Sequence, residues 1–139
     1  MKLYLSGPIA SEPDYRKLFE LAAQTLRNLG HEPVNPVDVP ADHAGPCGYG
    51  YPAGQGSPHT SACYMRGDLR ALLDCEGIVL LRGWEGSVGA RTELLMARAC
   101  GMRVRETIYA GRHPKPLGLQ DVTHLTMPLT LDHLYGVDR

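Results

Sequence analysis

Gly77-Ile78-Val79-Leu80-Leu81 is a continuous apolar run with no alternation. A strand of this kind is apolar on both faces and has to be covered on both, as a central strand is in a parallel sheet layered by helices. The rest of the chain repeats the pattern. Leu3 to Leu5 is a short apolar run that ends in a Ser6-Gly7-Pro8 turn, His31 to Asn35 is a brief strand closed by Pro36, and Met102 to Ile108 reads as a fourth strand. Three helical segments separate them. Ser11-Glu12-Pro13-Asp14 reads as a helix start with Ser11 at the cap, and Tyr15, Leu18, Phe19, Ala22, Leu26 and Leu29 follow on one face up to a Gly30 stop. A second helix is expected from about Cys63 to Cys75, with Met65, Leu69, Leu72 and Leu73 on one face, and a third from Ala90 to Cys100, stopped by Gly101. Strand and helix in strict alternation predict an α/β fold, a single doubly wound (Rossmann- or flavodoxin-like) domain with a four- to five-stranded, mainly parallel sheet.

A chain of 139 residues suits one domain spanning 1–139. Two stretches stand outside the alternation. Residues 36–62, rich in Gly, Pro, His and Tyr, form a long loop of the kind that is usually either functional or disordered. The tail from 109 is irregular, with a last strand expected near Val122–Met127 and a short helix near Leu131–Tyr135. Fourteen basic residues against fifteen acidic ones leave no basic excess for a dedicated nucleic-acid or membrane-surface binder. No apolar run approaches a membrane span, and the N-terminal segment is too short for a signal peptide, so a cytoplasmic protein is expected. The four cysteines then read as reduced thiols, with Cys75 and Cys100 as small core residues.

In a doubly wound sheet, ligands bind at the carboxyl ends of the strands. Three segments fall there: Ser6-Gly7-Pro8-Ile9, the long loop, and Gly83–Gly89. Two carboxylates stand out of place, and the first of them points at this crevice. Glu93 shares a helix face with Ala90, Leu94 and Ala97, where desolvation can tune its pKa, unless it is an ordinary first-turn acid favoured by the helix dipole. Asp68 lies on the edge of the second helix's apolar stripe, where it serves a site, pairs with Arg66 or Arg70, or caps a neighbouring loop. Arg91 runs against the dipole of the third helix, a conflict that an anionic ligand would relieve and that a solvated surface position would also tolerate. The glycine-rich run from Gly83 to Gly89 leads into that helix and presents backbone N–H groups, yet it is neither a Walker A loop nor a dinucleotide fingerprint. Trp84 within it either stacks on a base or packs beneath the loop. His43-x3-Cys47 and His59-x3-Cys63 supply four soft ligands, suitable in kind for zinc, but they do not match the usual finger spacings and no metal ligand is assigned.

Taken together, Tyr4-Leu5-Ser6-Gly7-Pro8-Ile9, Met65-Arg66-Gly67-Asp68-Leu69, Asp74-Cys75-Glu76-Gly77-Ile78-Val79 and Gly86-Ser87-Val88-Gly89-Ala90-Arg91-Thr92-Glu93 resemble the nucleoside 2-deoxyribosyltransferase-like superfamily. The nearest likeness is to short phage and bacterial proteins of a domain-of-unknown-function group. The chain is also similar to 2'-deoxynucleoside 5'-phosphate N-hydrolases. The resemblance implies Glu93 as nucleophile, Asp68 as substrate-binding and catalytic acid, and Tyr4 as the tyrosine beside the nucleophile. It gives Ser87 the place of a serine that contacts a 5'-phosphate, where the transferases tend to carry Asp. Substrate contacts are then expected from Ser6, Gly7, Pro8, Ile9, Arg66, Trp84, Ser87, Gly89 and Arg91.

The expected activity is hydrolysis of the N-glycosidic bond of a (deoxy)nucleoside 5'-monophosphate, through an oxocarbenium-like transition state captured by a carboxylate, with no cofactor. Deoxyribosyl transfer between bases and non-catalytic nucleotide binding are the alternatives. The expected partner is a small-molecule nucleotide. Leu94, Leu95, Met96, Ala97, Ala99 and Cys100 leave the third helix almost no polar face, so a homodimer or larger assembly is also expected.

Overall fold

The computed structural model describes residues 1–41, 47 and 59–124. It holds a five-stranded sheet in the order β2-β1-β3-β4-β5. The strands are β1 (Lys2–Ser6), β2 (Glu32–Val34), β3 (Gly77–Leu80), β4 (Arg103–Ile108) and β5 (Gly118–Asp121). The first four are parallel, with Tyr4 level with Val34 on one side and Ile78 on the other, and β5 runs antiparallel to β4. Three helices, α1 (Tyr15–Asn28), α2 (Ser61–Leu73) and α3 (Val88–Ala99), make the crossovers.

Side chains of a strand alternate between faces, and the core divides accordingly. Leu3, Leu5, Val79 and Leu81 pack with Phe19, Ala22, Ala23 and Leu26 of α1. Tyr4, Ile78, Leu80 and Val104 pack on the opposite face with Leu72, Ala90, Leu94 and Ala97 of α2 and α3. The chain therefore leaves β1 on one face and β3 on the other. The order is that of flavodoxin-like sheets, whose switch point lies between β1 and β3, and crevices form there at the carboxyl ends.

The helix starts differ from the sequence reading for local reasons. Ser11 does not cap α1. Tyr15 N–H donates to Glu12 O at 3.2 Å, and Asp14 has φ −96° and ψ 20°. Glu12-Pro13-Asp14-Tyr15 is thus a type I turn with Pro13 in its preferred second place, and the helix begins only after it. Helices α2 and α3 begin two residues earlier than expected, because Thr60 Oγ1 accepts from Cys63 N–H at 3.1 Å and Ser87 Oγ from Ala90 N–H at 3.2 Å. Gly30, at φ 85°, ends the first helix region as expected.

The last described strand is Gly118–Asp121, upstream of the expected Val122–Met127. Arg82 anchors the intervening turn by donating to Gly111 O at 2.7 Å and His113 O at 2.9 Å, so the chain folds straight back on β4 without a crossover helix. Val122, placed in the expected strand, instead follows β5 and enters the core beside Val104. The helix expected near 131–135 lies outside the described residues, as does most of the 36–62 loop. The described part of that loop opens with a 3-10 turn, Pro36–Asp38, capped by Asn35 Oδ1 accepting from Val37 N–H at 3.0 Å. Cys75 is buried, but Cys100 is exposed where it ends α3, contrary to its reading as a core residue. Among the described residues no helix is long and apolar enough to cross a membrane.

Candidate active site

Tyr4 and Ser6 lie two residues apart on β1 and therefore face the same side of the sheet, toward α3. Both end on the carboxylate of Glu93. Tyr4 Oη donates to Oε2 at 2.5 Å and Ser6 Oγ donates to Oε1 at 2.8 Å. Glu93 is one turn into α3, which Ser87 caps, and is only 6% exposed. Its two hydroxyl donors come from the end of β1 at the switch point, so an acid that would otherwise be an isolated buried charge is held in a fixed orientation.

Burial pushes the Glu93 carboxyl up to about 7, with the two hydroxyl bonds pulling against that rise and the charge of Asp68 adding to it. Asp68, half-buried on α2, is also pushed up to about 7 by burial. Among the described residues no hydrogen bond or ion pair reaches Asp68, so the pairing with Arg66 or Arg70 is not what holds it. Tyr4 is pushed well above the usual phenol range by burial first and then by the Glu93 and Asp68 charges, and stays a donor. At Glu93 the two hydroxyl donors favour the ionised form, while burial and the Asp68 charge oppose it.

The loops at the strand ends pass close to each other. A Cβ on Gly7 would lie 2.9 Å from Leu81 Cβ and 3.5 Å from Phe19, so this turn passes directly over β3 on the α1 side. Gly83, at φ +90°, brings its α-carbon against Pro8, where a Cβ would meet Pro8 Cγ at 3.3 Å. Gly89 faces Met65 of α2 and lies near Ser87 Oγ. A depression of about 380 Å³ opens at Pro8, Phe19, Arg82, Gly83 and Tyr109, on the α1 side, and does not include Glu93 or Asp68.

The predicted site residues separate into groups. Tyr4, Ser6, Asp68 and Glu93 are brought together. Ser87 and Gly89 sit at the start of α3, with Arg91 half-buried in its first turn. Arg66 is on the exposed side of α2, and Ile9 is 37% exposed. Trp84 takes the packing role of the two open to it: it is 6% exposed among Leu80, Leu94 and Val104, and its indole Nε1 has no partner among the described residues. The sequence places Ser6 in a turn suited to substrate contact. Its link to Glu93 was visible only as the i, i+2 relation to Tyr4.

The comparisons with known proteins agree with this architecture. A conserved protein from Enterococcus faecalis matches with a TM-score of 0.55 at 23% identity, over 81% of this chain and 65% of that one. A 2-deoxyribosyltransferase from the psychrotolerant bacterium Bacillus psychrosaccharolyticus matches with a TM-score of 0.55 at 20% identity, over 81% of this chain and 76% of that one. The chain thus spans about two thirds to three quarters of the length of these structures, and what they share with it is the 2-deoxyribosyltransferase-like fold. No curated protein matches the sequence significantly. Residues 1–106 match a family described as a domain of unknown function, DUF4406, and on that match the chain belongs to the DUF4406 family, with a fold like that of the 2-deoxyribosyltransferase.

Proposed function

We propose that the protein breaks the N-glycosidic bond of a nucleoside 5'-monophosphate, with Glu93 as the nucleophile. The observation that carries this reading is the buried Glu93 carboxylate held by the Tyr4 and Ser6 hydroxyls, with Asp68 close enough for its charge to be felt. A Glu93 oxygen forms a bond to C1' as the C1'–N bond breaks. The bonding pair leaves with the base, which takes the proton carried by Asp68. Water then attacks C1', Asp68 takes its proton back, and Glu93 is released, leaving free base and sugar 5-phosphate. No cofactor enters these steps.

The start of α3 supports a phosphate as part of the substrate. Ser87 Oγ spends its acceptor role on Ala90 N–H and keeps its own proton for a ligand, at a helix terminus that favours anions. The likeness to a 2-deoxyribosyltransferase favours a second reading, in which a second base rather than water captures the same glycosyl-enzyme. The proposal includes assembly into a homodimer or larger, with Val88, Leu73 and Tyr64 exposed on the α2–α3 layer.

Incubation with all common ribo- and deoxyribonucleoside monophosphates and the free nucleosides, with and without an acceptor base, tests both readings by chromatography. Base release from monophosphates alone supports the hydrolase. Appearance of a new nucleoside only when acceptor is present supports the transferase. Silence across the panel contradicts both.

A further inference from the structure

Three side chains that this chemistry does not use converge where the long loop enters α2. One ligand atom each from Cys47, His59 and Cys63 lies within 4.8 Å of the others. Cys63 Sγ and His59 Nδ1 are 3.6 Å apart. A sulfur at about 2.3 Å and a nitrogen at about 2.0–2.1 Å from one tetrahedral zinc are themselves separated by about 3.6 Å, so this pair already has the spacing of two ligands on one ion. Two thiolates on the same ion stand about 3.8 Å apart, within reach of a small closure of the cluster.

The surroundings fit a ligand set. Cys63 is fully buried in the first turn of α2. Cys47 Sγ accepts the Thr60 N–H at 3.4 Å and lies 3.4 Å from Thr60 Oγ1, the kind of outer contact that supports a metal-bound sulfur. Two thiolates and an imidazole suit zinc far better than magnesium or calcium. The chain between Val39 and Thr60 carries five glycines and four prolines, a composition with few core-forming side chains.

We propose that Cys47, His59 and Cys63 bind one zinc ion that ties the loop at Cys47 to the N-terminus of α2. Binding releases both thiol protons and makes the hold on the metal weaken as pH falls. His43, which has the same spacing from Cys47 in sequence, lies outside the described residues and is no part of the proposal.

The test uses the full chain without a histidine tag, grown with zinc and dialysed. Metal content is measured by elemental analysis, and Zn²⁺ affinity by competition with a chromophoric chelator. The expected result is one zinc per chain, with affinity at least tenfold weaker in Cys47→Ser and in His59→Ala and unchanged in Cys100→Ser, whose thiol is exposed elsewhere. Cys47 and His59 are less deeply buried than Cys63, so these variants avoid a hole in the core. Cobalt(II) in place of zinc should give thiolate-to-metal charge-transfer absorption that Cys47→Ser weakens. Zinc well below one per chain, equal affinity in Cys47→Ser, or a Cys47–Cys63 disulfide in the chain as isolated would overturn the proposal.

Discussion

At Glu93, burial and hydrogen bonding act in opposite directions on one carboxylate. Burial raises its pKa toward 7 and the Tyr4 and Ser6 hydroxyls hold it down. The proposed chemistry needs Glu93 ionised and Asp68 protonated, so kcat/KM should fall on both sides of a maximum near neutrality, the two limbs belonging to the pair. Tyr4→Phe removes a donor to the charged form. A hydrogen bond to a charged group contributes about 1.5–3 kcal/mol, equivalent to about one to two pH units. The acid limb of kcat/KM should therefore move to higher pH by about one unit or more, because Glu93 without this donor is harder to ionise. A pH–rate profile identical to that of the native chain would contradict the pairing. The acid itself was legible in sequence as a charge among Ala90, Leu94 and Ala97. Its hydrogen-bond partners were only half legible: the resemblance pointed to Tyr4, whereas Ser6 was hidden inside a glycine turn that suggested a different use.

The elements that set the site are those whose ends meet at the switch point. The buried strands were legible because a two-faced apolar run has few other uses, as in Gly77–Leu81. Helix starts were less so, because a Pro13 turn and a Thr60 or Ser87 cap shift the boundary without changing the apolar stripe. The edge strand β5 was missed because Gly118-Leu119-Gln120-Asp121 offers one apolar residue, while the more apolar Val122 follows it. Gly7 carries the close passage of the β1 turn over β3. In Gly7→Ala the new Cβ meets Leu81 Cβ at 2.9 Å, and neither atom can rotate away. The variant should lose about 1–3 kcal/mol in denaturant unfolding, typical of overpacking. Gly86→Ala is the control: nothing lies within 4 Å of its new Cβ, and it should stay within about 0.5 kcal/mol of the native chain.

Across the whole molecule, the 2-1-3-4-5 strand order puts the Glu93 carboxylate on the α2–α3 side of the sheet and leaves the α1 side to packing. The fold class was legible from the alternation of elements alone. Assembly was read from the apolar sequence of α3, yet Leu94 and Ala97 of that helix are consumed by the core. Among the described residues, Val88 (59% exposed), Leu73 (48%) and Tyr64 (36%) remain exposed on the same layer. Light scattering at micromolar concentration should give at least twice the 15.2 kDa chain mass. A species of one chain mass would remove the second copy from the account.

The most direct test of the central claim is the rate of base release by Glu93→Gln, measured beside the native chain on the best substrate of the nucleotide panel. Gln is close in shape and still offers an oxygen to the hydroxyls, so fold and ligand binding should persist while turnover falls by at least about a thousandfold, as expected for loss of a nucleophile. Base release at an undiminished rate in that variant would contradict the assignment of Glu93 and the mechanism built on it.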